Sequence, residues 1–135
     1  MSVINYMKNS DILNAFNNHI IELFEDVVNL FPTNTDIKVA KTTILTIRQV
    51  NPKLLIKIWK EYIYDKYHTE IESGNINFFI EKDYAEDLKY TNNTASILEK
   101  ISTLREPIKQ MSKENLDKTT KYIQNLSKLC NIYHL

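Results

Sequence analysis

An all-α fold, a single compact bundle of five to six helices, is what this chain predicts, and three observations predict it. One Gly and three Pro in 135 residues leave few places for the turns between strands. Apolar residues recur every three or four positions in six segments joined by short polar or Pro-containing links. Hydrophobic content of 43% with 25% charged residues is ordinary for a globular domain. At this length the chain buries just under about 70% of its unfolded surface, enough to fold without metal or disulfide. Residues 1–135 therefore read as one helical domain.

Residues 1–9 offer Val3, Ile4, Tyr6 and Met7 but no face, and are expected to form a flexible arm. Ser10 or Asp11 is placed to cap a helix over about 11–31, with Ile12, Leu13, Phe16, Ile20, Leu23, Phe24, Val27, Leu30 and Phe31 on one side and Pro32 ending it. On its polar side His19, Glu22 and Asp26 fall at i, i+3 and i+7, like half of a carboxylate-bridged metal site. Such sites need a repeated Glu-x-x-His motif on other helices, which the chain lacks, so solvated charges are the preferred reading and no metal is expected.

Asn34 or Thr35 caps a second helix, about 36–50, whose expected buried side is Ile37, Val39, Ala40, Ile44, Ile47 and Val50, with Lys38, Lys41 and Arg48 outside. Asn51-Pro52 then opens the central helix, about 52–67. Leu54, Leu55, Ile56, Ile58, Trp59, Tyr62, Ile63 and Tyr67 cover an arc of roughly 220° at 100° per residue, so neighbours contact this helix from several sides. The remaining strip carries Lys53, Lys57, Lys60 and Tyr64.

From His68 to Tyr84 two readings compete. Ile76, Phe78 and Ile80 alternate behind Gly74-Asn75, as in a short hairpin near 69–80. An isolated hairpin is marginally stable, so a helix over about 76–90, capped by Asn75, is preferred. Glu81, Asp83, Glu86 and Asp87 around Lys82 read as solvated charge, because a catalytic acid pair needs one member in a dry pocket. Ile97, Ile101, Leu104, Ile108 and Met111 form a seam over about 95–111 that crosses Pro107, which predicts a kink or a break near Arg105-Glu106. Ser112 caps a last helix, about 113–133, with Leu116, Tyr122, Ile123, Leu126, Leu129, Cys130 and Tyr133 inward. The last two helices are expected to form a hairpin on the first three.

Seventeen basic residues balance seventeen acidic ones, so no net field draws the molecule to nucleic acid or to an anionic membrane. The basic residues are almost all Lys, which argues against sequence-specific DNA reading. Cys130 is alone and on an apolar face, a small hydrophobe rather than half of a disulfide. No signal peptide and no transmembrane segment are apparent, and Asn92-Asn93-Thr94 is taken as a chance sequon. Glycine-rich phosphate loops, a nucleophile elbow, zinc-binding pairs and cysteine clusters are absent, so neither an enzyme nor a cofactor is expected.

Two functions remain. The first is a helical protein-protein interaction or structural module that binds a viral or host protein, or itself. Its expected surface is the aromatic set Tyr64, Tyr67, Phe78, Phe79 and Tyr84, because Tyr at interfaces buries its ring while its hydroxyl stays satisfied. The second is a sequence-tolerant nucleic-acid accessory protein that tracks phosphates with Lys53, Lys57 and Lys60, with Tyr64 as a stacking surface. The segments LFPTNTDI, NPKLLIKIW and SGNINFFIEKDY, in this order and spacing, resemble a group of short uncharacterised proteins of nucleocytoplasmic large DNA viruses, including mimivirus relatives, over about residues 20–90. The abundance of Ile, Asn, Lys and Tyr, encoded mainly by AT-rich codons, is compatible with that source. The resemblance implies a viral origin and the host cytoplasm as the site of action, and assigns no active residue.

Overall fold

In the computed structural model, which describes residues 8–81 and 93–134, no strand occurs among the described residues. The first helix, α1, spans Asn9–Leu30. Ser10 and Asp11 lie inside it, and the cap position falls to Lys8, whose side chain makes no capping bond. Its carbonyl accepts from the N–H groups of Asp11 (2.9 Å) and Ile12 (3.2 Å), while Asp11 in the first turn complements the positive end of the helix dipole. Helix α2, Thr35–Val50, starts as expected: the Asn34 side chain accepts from the Ile37 N–H at 3.1 Å.

Asn51 closes α2 through its N–H on the Ile47 carbonyl (2.8 Å), and its own carbonyl accepts from Leu54 (3.2 Å). Pro52 and Lys53 thus form a turn, and the central helix begins at Leu54 rather than Pro52. Asn17, buried on α1, donates to the Pro52 carbonyl at 2.9 Å and ties this turn to the first helix.

The central helix is longer than its pattern predicted, running as α3 (Leu54–Trp59), a π-helical segment (Lys60–Tyr64) and α4 (Asp65–Glu72). Its end explains why no hairpin forms. The Gly74 N–H bonds the Ile71 carbonyl (3.0 Å) and the Asn75 N–H reaches back to that of Glu70 (2.9 Å), a Schellman closure with Gly74 at φ 80°. The Asn75 side chain then accepts from the Asn77 N–H (3.0 Å) and starts α5, Asn77–Glu81. The rest of the helix expected over 76–90, the acidic run around Lys82 and the arm lie largely outside the described residues, as does Tyr84.

Of the kink or break expected near Arg105-Glu106, a break occurs, between α6 (Asn93–Ser102) and α7 (Arg105–Gln110). The break falls at Thr103-Leu104, just ahead of its expected place, because Pro107 belongs to the first turn of α7, where its missing N–H would have had no partner. Ser112 caps α8, Lys113–Tyr133, accepting from the Asn115 N–H at 3.3 Å.

The core lies between α1, the central helix and α8, with α2 and α6 closing one flank and α5 packed on α7. The expected hairpin of the last two helices does not form: α8 packs chiefly on α1 and the central helix, and α6 on α2 and α3. Seams that each need a cover find it on different partners.

Trp59 sits fully buried at the crossing. Its ring meets Phe16 edge-on (centroids 6.1 Å, 71°) and Phe79 at a tilt (6.5 Å), and its indole N–H donates to Ser127 Oγ at 3.1 Å. That single polar bond joins the middle of the chain to α8 and keeps a buried donor satisfied.

Candidate functional site

Of the expected aromatic set, Tyr84 lies outside the described residues, and two of the other four do not face solvent. Phe78 and Phe79 are core residues, 7% and 2% exposed. The turn at Gly74 folds α5 back so that Tyr67 stacks on Phe78 (4.7 Å, 18°), Phe78 meets Phe79 (4.6 Å), and Phe79 meets Trp59. These rings form an internal ladder, which is where the apparent excess of aromatics goes. Tyr64 and Tyr67 are half-buried, with Tyr64 against the His68 ring at 5.5 Å.

The three lysines of the strip do come together. Lys53, Lys57 and Lys60 line a cleft of about 340 Å³ together with the buried Ile56, Glu61, and Tyr133 and His134 from the end of α8. Lys53 and Lys57 are exposed, and neither has an acidic partner among the described residues. Lys60 differs: its ammonium pairs with Asp65, which raises its pKa above the usual lysine value against an opposing cost of burial. Lys38, Lys41 and Arg48 lie on α2, where Lys41 is 3.9 Å from Glu25.

Cys130 and His134 stand one turn apart, with Sγ 3.8 Å from Nδ1. This pair is not an activated nucleophile. The thiol is fully buried, Sγ bonds the Ile56 carbonyl (3.5 Å), and burial pushes its pKa up to about 12. Nδ1 of His134 lies 2.7 Å from the Cys130 carbonyl oxygen, which can only accept, so that nitrogen carries a proton and has no lone pair for the thiol.

The polar row of α1 is held by α8. Tyr122 donates to Asp26 Oδ2 at 2.7 Å, Lys118 lies 3.2 Å from the same oxygen, and the His19 ring lies against Tyr122 (4.6 Å) while its Nδ1 sits 3.7 Å from Glu22. Burial first, and then the bond to Asp26, raise the Tyr122 phenol to about 12. Among the described residues no group of three His, Cys, Asp or Glu converges as metal ligands.

The outer side of α2 is the feature that sequence reasoning missed. Val39 and Val50, expected inside, are 55% and 79% exposed, and Leu45 is 38% exposed. The buried line of α2 is Ile37, Ala40 and Ile44. At 100° per residue Val39 and Val50 fall about 115–135° away from its centre, too far to reach the core. Between them Thr42, Thr43 and Thr46 donate their hydroxyls to the carbonyls of Lys38 (3.2 Å), Val39 (3.0 Å) and Thr42 (3.1 Å). A threonine bonded to its own helix in this way offers its methyl group outward. Val39, Thr43, Thr46 and Val50 therefore follow spacings of 4, 3 and 4 as an uncharged stripe, with Leu45 about 100° further round the helix. A sign of it was available in the sequence: four turns whose outward arc holds only Lys38 as a charge.

Comparison with protein families, with curated proteins and with solved structures finds no match to this chain. Among the described residues no helix is long and apolar enough to cross a membrane.

Proposed function

We propose that this chain is a non-enzymatic helical interaction module whose docking face is the outer side of α2, and that its partner is a viral or host protein presenting an apolar helix face. The observation that carries this reading is the stripe Val39–Thr43–Thr46–Val50, exposed except for the half-buried Thr43, whose threonine hydroxyls are bonded to α2 itself. Such a face has little to offer water. It has the 4-3-4 spacing with which one helix meets another, and methyl groups allow close approach. The resemblance to proteins of nucleocytoplasmic large DNA viruses supports placing the module in the cytoplasm of an infected host.

The test is a pair of exposed charges, Val39→Glu with Val50→Glu. Stability should change by no more than about 0.5 kcal/mol, as is usual at exposed positions. In affinity purification from host cells, proteins that stay bound to the parent after nuclease treatment should be lost from the double variant. If parent and variant hold the same proteins equally, α2 is not the docking face.

The alternative, a sequence-tolerant nucleic-acid accessory protein, draws its support from the lysine cleft. A net charge of zero deprives it of long-range attraction.

A further inference from the structure

The lysine-rimmed cleft has a chemistry of its own, separate from the α2 face. One wall is cationic and the other is aromatic. Lys53 and Lys57 stand one helical turn apart and form no ion pair among the described residues, so a dianionic group between them would meet two ammoniums not already bonded to a carboxylate there. Lys60 is held back by Asp65, and its ammonium also lies 5.7 Å from the Tyr64 ring, so it contributes field rather than a free contact. Across the cleft, Tyr133 and His134 set two rings at 5.1 Å and 66°, with the buried Ile56 also on the lining.

The end of α8 that carries this second wall is tied to the central helix, and Tyr133 packs partly buried against the core. Cys130 binds α8 to the Ile56 carbonyl, and the His134 Nδ1–H donates to the Cys130 carbonyl, which leaves Nε2 as the ring nitrogen free to meet a ligand. At about 340 Å³ the cleft is within the size of small-molecule sites. Inorganic phosphate alone would leave the ring wall and Ile56 without a contact, and an uncharged ring would leave the lysines unused.

We propose that this cleft binds a nucleotide unit: a phosphate monoester between Lys53 and Lys57, with its base lying on the Tyr133 ring. The unit is either a free mononucleotide or the 5′-phosphorylated end of a single strand, and the two sources share this chemistry. Glu61 is the one carboxylate on the lining among the described residues, and its charge opposes a second phosphate placed beside it.

The experiment titrates the full chain at low salt with adenosine 5′-monophosphate, with a 5′-phosphorylated single-stranded oligodeoxyadenylate, and with adenosine and inorganic phosphate as controls. Backbone amide shifts follow each titration. Expected is saturable binding of one or both phosphorylated probes, with the largest shifts at residues 53–61 and 130–134. Each control should bind at least tenfold more weakly. Lys53→Gln with Lys57→Gln should weaken binding by roughly tenfold or more and flatten its salt dependence, while the melting curve matches the parent. Tyr133→Ala, if it folds, should weaken binding by roughly tenfold through loss of stacking, and Tyr133→Phe should retain it. Tighter binding of the oligonucleotide identifies a strand end, and equal or tighter binding of the mononucleotide identifies a free nucleotide. No saturable binding of either probe, shifts elsewhere on the molecule, or full binding by a folded double lysine variant would overturn the proposal.

Discussion

Trp59 shows what one side chain does here: it fills the crossing of three helices and spends its only polar group on Ser127. Trp59→Ala should cost about 3–5 kcal/mol through lost burial and the cavity left behind. Ser127→Ala isolates the second contribution, because it leaves the indole donor buried without a partner, and should cost about 1–3 kcal/mol. Denaturant melts measure both, and a loss within noise for the alanine at 59 would mean that the ring is not held in the core. The centrality of Trp59 was legible from its place in the widest apolar arc. Its partner was not, because Ser127 lies 68 residues away and no local pattern marks it. The same holds for Asn17, a polar residue of α1 that is buried and holds the Pro52 carbonyl 35 residues away.

At the scale of elements, starts and stops depend on chemistry within a turn of the chain, and they were the more readable part. Asn34 and Ser112 cap as their side chains predict, and the ambiguity after His68 is resolved by Gly74. Gly74→Ala tests that resolution. A Cβ there would meet nothing closer than 3.7 Å, so the cost is conformational. An L residue at φ 80° loses about 1–2 kcal/mol, readable as a lower midpoint in urea with an unchanged slope. No change in the midpoint would show that the Schellman closure does not hold this end. Which way an element turns was less readable. Val39 and Val50 were assigned to the core because they are apolar, yet the burial of α2 is decided by the line through Ile37, Ala40 and Ile44.

For the whole molecule, the sequence carried the fold class but not which helix covers which. The pairing of α8 with α1 brings Tyr122 onto Asp26, and the end of α8 onto the lysines of the central helix. Half of the cleft was therefore visible as a strip, and the half supplied by Tyr133 and His134 was not. The Tyr122 contact links global stability to pH. Its phenol ionises at about 12 in the fold, and an unfolded tyrosine ionises near 10. The unfolded chain therefore releases that proton first. The contribution is whole below about pH 10 and is lost as pH rises through about 12. Tyr122→Phe should be less stable by about 1 kcal/mol at pH 8, and its unfolding midpoint should fall less steeply than the parent's between about pH 10 and 12. Parallel curves over that range would count against the linkage.

The π-helical segment Lys60–Tyr64 has a further consequence. Each of its bonds spans one residue more than an α-helical bond, so the central helix holds a surplus residue between Trp59 and Asp65. A chain one residue shorter there could close as plain α-helix and still present Ile71 to the core and Gly74 to its turn. The same deletion elsewhere in that helix would rotate everything after it by about 100°. The segment is thus a length-tolerant joint, the point at which the central helix can gain or lose a residue without changing the fold.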